Sequence, residues 1–317
     1  MFTKFLTSWR LFKQSVSVVN QHRKLLLFPI LTSVMTLGIF LFFLAPVLLQ
    51  PTGFSYTSGG HWKAVAGSII TPESMTELQK ASLPGQPRPQ RSQVHLSHKA
   101  GLYVLIIYFV SMFFAAFFNV AFCHEIFSAL QGQDISIRSG LAFAASRWKP
   151  ILWWSLFSGL IGLIIQKLEE RFGFIGRWVI SLIGMAWSIA CVFAIPVLVN
   201  EAATISPLDV LKTSASRLKK TWGESLAGYV GMGAGSMAFM LLSLVVLVGF
   251  VALSIMQQNP IYLAVGFLIW FSSLVLFSYL WSVAGLVFKC ALYLYSTTST
   301  PPAPYTIDSM GAAWKTR

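Results

Sequence analysis

The chain has 317 residues, a formal charge of +13, 56% hydrophobic residues and only 10% charged ones. A soluble domain carries about 25% charged residues, so this composition excludes a soluble enzyme and points to a polytopic membrane protein. The basic excess suits short cytoplasmic loops and anionic lipid headgroups, not nucleic acid, because no Lys/Arg-rich soluble domain is present.

In chain order, residues 1–24 read as an amphipathic helix lying in the membrane interface. Phe5, Trp9, Phe12, Val16 and Val19 recur at helical spacing, with Lys4, Arg10 and Lys13 between them. Apolar stretches of membrane-crossing length follow at 25–49, 101–122, 150–165, 178–199, 226–256 and 261–295. The first is too long for a signal-peptide core and is expected to stay in the membrane. Residues 50–100 form a long extracytoplasmic loop, mostly irregular. Thr71-Pro72-Glu73 predicts a short helix over 72–82, and the Pro-rich run 83–91 should be mobile. His95 and His98 stand at H-x-x-H spacing but lack a third ligand, so no metal site is expected.

Pro196 should kink the fourth span. Ala227, Gly231 and Gly235 recur every fourth residue on the fifth and predict a close helix-packing seam. Cys123, Cys191 and Cys290 show no disulfide or zinc spacing and read as small packing residues. Residues 296–317 form a tail. Lys and Arg concentrate in the N-terminus, the loops 123–149 and 200–225 and the C-terminus, which predicts both termini cytoplasmic. Trp148, Trp153, Trp154 and Trp222 then fall at the inner interface, and Trp62 and Trp178 at the outer one.

The two inner loops match at a fixed offset of seventy positions. Ser136, Leu141, Ala145, Ser146, Arg147 and Lys149 recur as Ser206, Leu211, Ala215, Ser216, Arg217 and Lys219. In the second loop Ser206-Pro207-Leu208-Asp209 supplies an N-cap, a first-turn proline and a first-turn acid. Leu208, Leu211, Ala215, Leu218 and Trp222 then share one face, and Lys212, Arg217, Lys219 and Lys220 lie off it. Leu141, Ala145 and Trp148 repeat that stripe in the first loop. The expected fold is therefore an all-α membrane protein, one integral domain over 1–317. It holds six transmembrane helices in three tandem helix-pair repeats, with amphipathic helices on the inner face.

Ser8-Trp9-Arg10-Leu11-Phe12-Lys13-Gln14-Ser15, Lys24-Leu25-Leu26-Leu27-Phe28-Pro29, Ile195-Pro196-Val197-Leu198-Val199-Asn200-Glu201, then Ser206-Pro207-Leu208, Lys212, Ser214 and Thr221-Trp222-Gly223 together resemble a functionally uncharacterised family. Its members are polytopic membrane proteins known as a domain of unknown function. Phe288, Ala291-Leu292-Tyr293 and Tyr295 are similar to the family's end. The resemblance implies six spans and a bacterial inner (plasma) membrane, and it carries no catalytic or ligand residues.

No catalytic set is legible: there is no G-x-S-x-G, P-loop, H-E-x-x-H or dinucleotide fingerprint. The functional candidates are polar residues near hydrocarbon. Glu125 and Glu201 end the second and fourth spans, Lys289 lies late in the sixth stretch, and Asn119 lies inside the second. They could cluster at the inner mouth of the bundle. The alternative is that each carboxylate pairs with a nearby Arg or Lys or snorkels. Lys212, Arg217, Lys219, Lys220, Arg147 and Lys149 are the expected membrane-surface cations. The reading is a non-enzymatic accessory or scaffold component without cofactor or metal, contacting lipid and another membrane protein or a second copy of itself. A permease for a small or lipid-like solute is the alternative.

Overall fold

The computed structural model describes residues 2–70, 97–201 and 205–306, except for the side chains of 2–9, 174, 175, 222–235 and 238. Among the described residues the regular structure is helical. A long α1 (Phe2–Gln21) passes through a 3-10 turn (Arg23–Leu26) into α2 (Leu27–Leu48). Then come α3 (Gly59–Ile69), α4 (His98–Leu130), α5 (Ile137–Ser146) and α6 (Trp148–Arg171). The chain continues with α7 (Phe174–Ala190), α8 (Ala194–Asn200), α9 (Pro207–Lys220), α10 (Trp222–Met256) and α11 (Ile261–Thr298). Six helical stretches in the described residues are long and apolar enough to cross a membrane.

The chain divides into two compact units, Met1–Leu31 with Ala116–Arg317, and Thr32–Ala115. In the first unit, buried positions concentrate in the last four turns of α4, the first turns of α6, most of α8, and one face of α9. The last turns of α11 complete this hub: Val283, Ala284, Val287, Phe288, Cys290, Ala291, Leu292 and Tyr293 are all buried. The rest of α6, α7, α10 and α11 exposes large apolar side chains such as Leu160, Leu182, Val245 and Leu268. That surface is stable only against hydrocarbon or another apolar partner. The helices of each pair, α6 with α7 and α10 with α11, touch each other. The α9 helix contacts α6, α7, α8, α10 and α11 and so ties the pairs together, and α1 packs on α10 and α11.

Local physics sets the helix ends. Ser206 caps α9: its hydroxyl accepts the Asp209 N–H at 3.2 Å and donates to the Asp209 carboxylate at 2.6 Å. Asp209 also sits at the positive end of the helix dipole. The close approach of α10 to α11 falls at Gly266, where an added Cβ would run into the Phe250 side chain. Ala227, Gly231 and Gly235 have side-chain positions outside the described set.

Several expectations need correction. The second span does not stop near residue 122. Ile126, Phe127, Ala129 and Leu130 continue its apolar periodicity and are buried, so α4 runs to Leu130 and Glu125 lies inside the helix. The loop 50–100 contains α3, started by Ser58, whose hydroxyl accepts the His61 N–H at 3.3 Å. The Ser-Gly-Gly start reads locally as a turn, which hides the helix. The expected helix at 72–82 lies outside the described residues. On α9 the buried face is Val210, Ser214 and Leu218, while Leu208 and Ala215 are exposed. The stripe is rotated because polar bonds at Ser214, not apolar area alone, fix the helix orientation. On α1 the buried face is Leu11, Ser15, Val18 and Val19, and Phe12 stacks on Trp281 with centroids 4.5 Å apart. Trp154 is buried, whereas Trp148, Trp153, Trp62 and Trp178 are exposed.

The fourth span breaks at Cys191–Phe193, one turn before Pro196. A proline removes its own N–H and crowds the carbonyl four residues back, here Val192. The break is sealed by Ser214 of α9: its hydroxyl donates to the Ala190 carbonyl at 2.5 Å and accepts the Phe193 N–H at 3.0 Å. Ser214→Ala should leave the buried Phe193 N–H and the half-buried Ala190 carbonyl without this partner and cost about 2–3 kcal/mol. Thermal unfolding of the purified variant in detergent measures this, and an unchanged midpoint would remove Ser214 from the account.

The segment after α11 docks on α1. Ser15 donates to the Leu11 carbonyl at 3.0 Å and meets the Tyr305 hydroxyl at 2.7 Å, and Gln14 donates to the Pro304 carbonyl at 3.3 Å. Burial pushes the Tyr305 phenol well above its ordinary value, the Ser15 hydroxyl opposing part of that rise. The folded state therefore holds the phenolic proton where an unfolded chain, titrating near about pH 10, releases it. Docking is fully stable below that pH and weakens as pH rises beyond it. Tyr305→Phe should abolish this alkaline weakening while losing about 1 kcal/mol at neutral pH. Hydrogen exchange of residues 299–306 against pH is the measurement.

Candidate functional site

The buried polar groups of the hub are the candidate site. Glu125 is fully buried on α4. One carboxylate oxygen accepts the Ser136 N–H at 2.7 Å, which holds the start of α5 against α4. The other has no hydrogen-bond partner among the described residues. Gly140 of α5 closes over this carboxylate. A Cβ there would come within 2.8 Å of the Ala121 carbonyl oxygen, 2.9 Å of Glu125 Cγ and 3.1 Å of Phe28 Cζ. Phe28 in turn stacks on Phe122, with centroids 5.2 Å apart and planes at 6°.

Arg147 stands between α5 and α6. Its guanidinium donates to the Leu198 carbonyl at 2.9 Å and to the Glu201 carbonyl, so it caps the end of α8. It also lies over the Phe143 ring at 4.9 Å, and the His124 ring stacks on Phe143 at 3.9 Å. This stack joins the end of α8 to α4. Arg217 repeats the contact on α9, donating to the Ser296 carbonyl at the end of α11 at 3.4 Å. Lys24 donates to the Ile135 carbonyl, beyond the end of α4, at 3.5 Å. In each case a cation at or before the start of one apolar stretch bonds a backbone carbonyl at or beyond the end of the next.

The other predicted residues are distributed around this frame. Glu201 is half-buried, and the hydroxyl of the buried Tyr293 has no hydrogen-bond partner among the described residues. Lys289 is half-buried near Cys123, whose thiol meets that of Cys290 at 3.1 Å. Asn119 is exposed on α4. No ion pair joins Glu125, Glu201 and Lys289 among the described residues; Lys167 and Glu170, both exposed, form the ion pair found there. The basic set divides. Lys149, Lys212, Lys219 and Lys220 are exposed, while Arg147 and Arg217 are half-buried and turned to backbone carbonyls.

Sequence reasoning passed over Gly140 and gave Ser214 no structural role. Neither has a motif: each acts through a contact with a distant element. Arg147 and Arg217 were visible as a recurring pair, but not as caps. Among the described residues no three His, Cys, Asp or Glu gather where a metal ion could sit. Chemically the hub positions helix ends: its charged groups face backbone carbonyls and N–H groups.

The model of DUF6159, a family of unknown function, matches residues 99–302. The N-terminal run Ser8–Pro29 lies outside the matched stretch. No curated protein and no solved structure matches the chain.

Proposed function

The chain belongs to DUF6159, a family of unknown function, and we propose that it is a non-enzymatic accessory or scaffold protein of a bacterial inner membrane, with both termini cytoplasmic. One observation carries this reading. Large apolar side chains of α7, of α11 up to Leu280 and of residues 237–256 of α10 are uncovered, while the polar groups of the hub are turned to helix ends. Large apolar faces of this kind suit lipid and the spans of partner membrane proteins. The exposed Lys149, Lys212, Lys219 and Lys220 suit anionic headgroups on the cytoplasmic side.

The threefold architecture belongs to the same proposal. At the seventy-residue offset, Gly140 and Ala144 of α5 correspond to Val210 and Ser214 of α9, and all four are buried. The contacts of Lys24, Arg147 and Arg217 with hairpin ends support three copies of one unit, each with a cation at its head. Affinity purification from native membranes at native expression, followed by native mass spectrometry, tests the scaffold reading. A stoichiometric membrane-protein partner supports it. A partner-free species that moves solute in liposomes overturns it.

A permease is the second reading, and the broken fourth span favours it, because discontinuous helices often mark transport sites. Against it, Ser214 already bonds the Ala190 carbonyl and the Phe193 N–H at that break. Glu125→Gln with Glu201→Gln should leave solute flux unchanged under the scaffold reading and lower it at least about tenfold if these carboxylates couple transport. Flux into liposomes is the measurement.

A further inference from the structure

Within the unit Thr32–Ala115, the C-terminal half of α2, the end of α3 and the first turns of α4 line an open-sided cavity of about 510 Å³. Phe40, Phe43, Leu44, Val104 and Ile107 form its apolar depth. Its volume lies within the range of about 300–1,000 Å³ typical of small-molecule sites. Tyr103 presents its ring there, because its hydroxyl donates to the Phe43 carbonyl at 2.5 Å.

Polarity is confined to one end. Gln50, Ser68 and Lys99 line the rim, where α2 has ended and α4 has just begun. Gln50 and Ser68 satisfy each other at 3.0 Å. Lys99 is exposed, and no carboxylate among the described residues pairs with it. The wall is braced by His61, fully buried, whose ring bonds Thr52 Oγ1 at 2.7 Å and the Leu48 carbonyl at 3.0 Å. The α3 helix is thereby fixed to the end of α2, which gives the cavity a formed wall.

We propose that this cavity holds one acyl chain of an anionic phospholipid, with the lipid phosphate against the Lys99 ammonium. An apolar slot running along two spans, with its single cation where those spans leave hydrocarbon, matches the polarity of an amphiphile standing in one leaflet. A free phosphate would leave the apolar depth empty, and a neutral lipid would leave Lys99 without a counter-charge. The proposal rests on reading α2 and α4 as membrane spans. It is independent of whether a protein partner exists.

The test is native mass spectrometry of the purified full chain titrated with dioleoylphosphatidylglycerol and, separately, dioleoylphosphatidylcholine. The expected result is one tightly retained phosphatidylglycerol, preferred about fivefold over phosphatidylcholine, the effect of one lysine beside an anionic headgroup. Lys99→Gln should remove the preference and keep a retained lipid. Val104→Trp, at a half-exposed position on the cavity wall, should fill the slot and remove both lipids. Thermal unfolding of each variant checks that the fold is kept, and Ile107→Trp replaces Val104→Trp if that variant unfolds. Unchanged retention in the filled variants, or an unchanged preference in Lys99→Gln, overturns the proposal. Failure here leaves the scaffold reading standing, because that reading is judged on protein partners and flux.

Discussion

Gly140→Ala should destabilise the hub by about 1–3 kcal/mol, the usual cost of forcing a methyl group into a filled site. Alanine is ordinarily the better helix former by up to about 1 kcal/mol, so the sign depends on space. The atom nearest the new Cβ is the Ala121 carbonyl oxygen at 2.8 Å, part of the α4 backbone. It cannot rotate aside, so α5 must move away from α4. That movement also stretches the bond from the Ser136 N–H to the Glu125 carboxylate. Gly285→Ala on α11 is the control, since nothing lies within 4 Å of its added Cβ. Thermal unfolding in detergent, with alkylation of the buried Cys123 and Cys290 thiols as a second readout, measures both. A Gly140→Ala protein as stable as wild type, with thiols still protected, would mean that α5 does not sit against α4.

The second large effect is expected at Arg147. Arg147→Ala removes the donor to two carbonyls at the end of α8 and the cation over Phe143. A hydrogen bond from a charged donor is worth about 1.5–3 kcal/mol, and the cation–π contact adds about 0.5–1 kcal/mol at a partly exposed site. A loss of about 3 kcal/mol follows, and with it the tie between α8 and α4. Arg147→Lys should recover less than half, because an ammonium is a point charge and cannot span two carbonyls as a fork. Arg217→Ala should cost less, since its hydrogen bond to the Ser296 carbonyl is long at 3.4 Å. Unfolding midpoints of the three variants, compared in one detergent, decide the order. Equal stability of Arg147→Ala and wild type would show that water caps α8 equally well.

These two residues also show how far the chain could be read by eye. Arg147 and Arg217 recur at a fixed offset, and the recurrence marks them as equivalent without telling what they touch. Their partners, Leu198, Glu201 and Ser296, are backbone carbonyls that any residue type would supply. Gly140 is one of 23 glycines, and nothing local separates a glycine that admits a neighbouring helix from one that faces open space. Glu125 stood out as an acid beside an apolar stretch, but its binding of the Ser136 N–H depends on a turn that brings α5 back along α4. The Pro196 break was legible as a missing donor. Its seal by Ser214 was not, because the hydroxyl arrives from a separate helix.

Sequence alone determined the helical class, the number and approximate place of the membrane-length stretches, and the Ser206 cap, since these depend on composition, run length and contacts within a few residues. Tertiary structure decided the rest. It rotated the buried faces of α1 and α9, extended α4 past Glu125, placed α3 beside an apolar cavity and set the hub around the end of α11. In hydrocarbon every apolar face is equally at home, so burial of apolar area does not by itself choose which face packs. Close approach at glycine and the pairing of the few polar groups make that choice, and both are properties of elements brought together, not of any one stretch of chain.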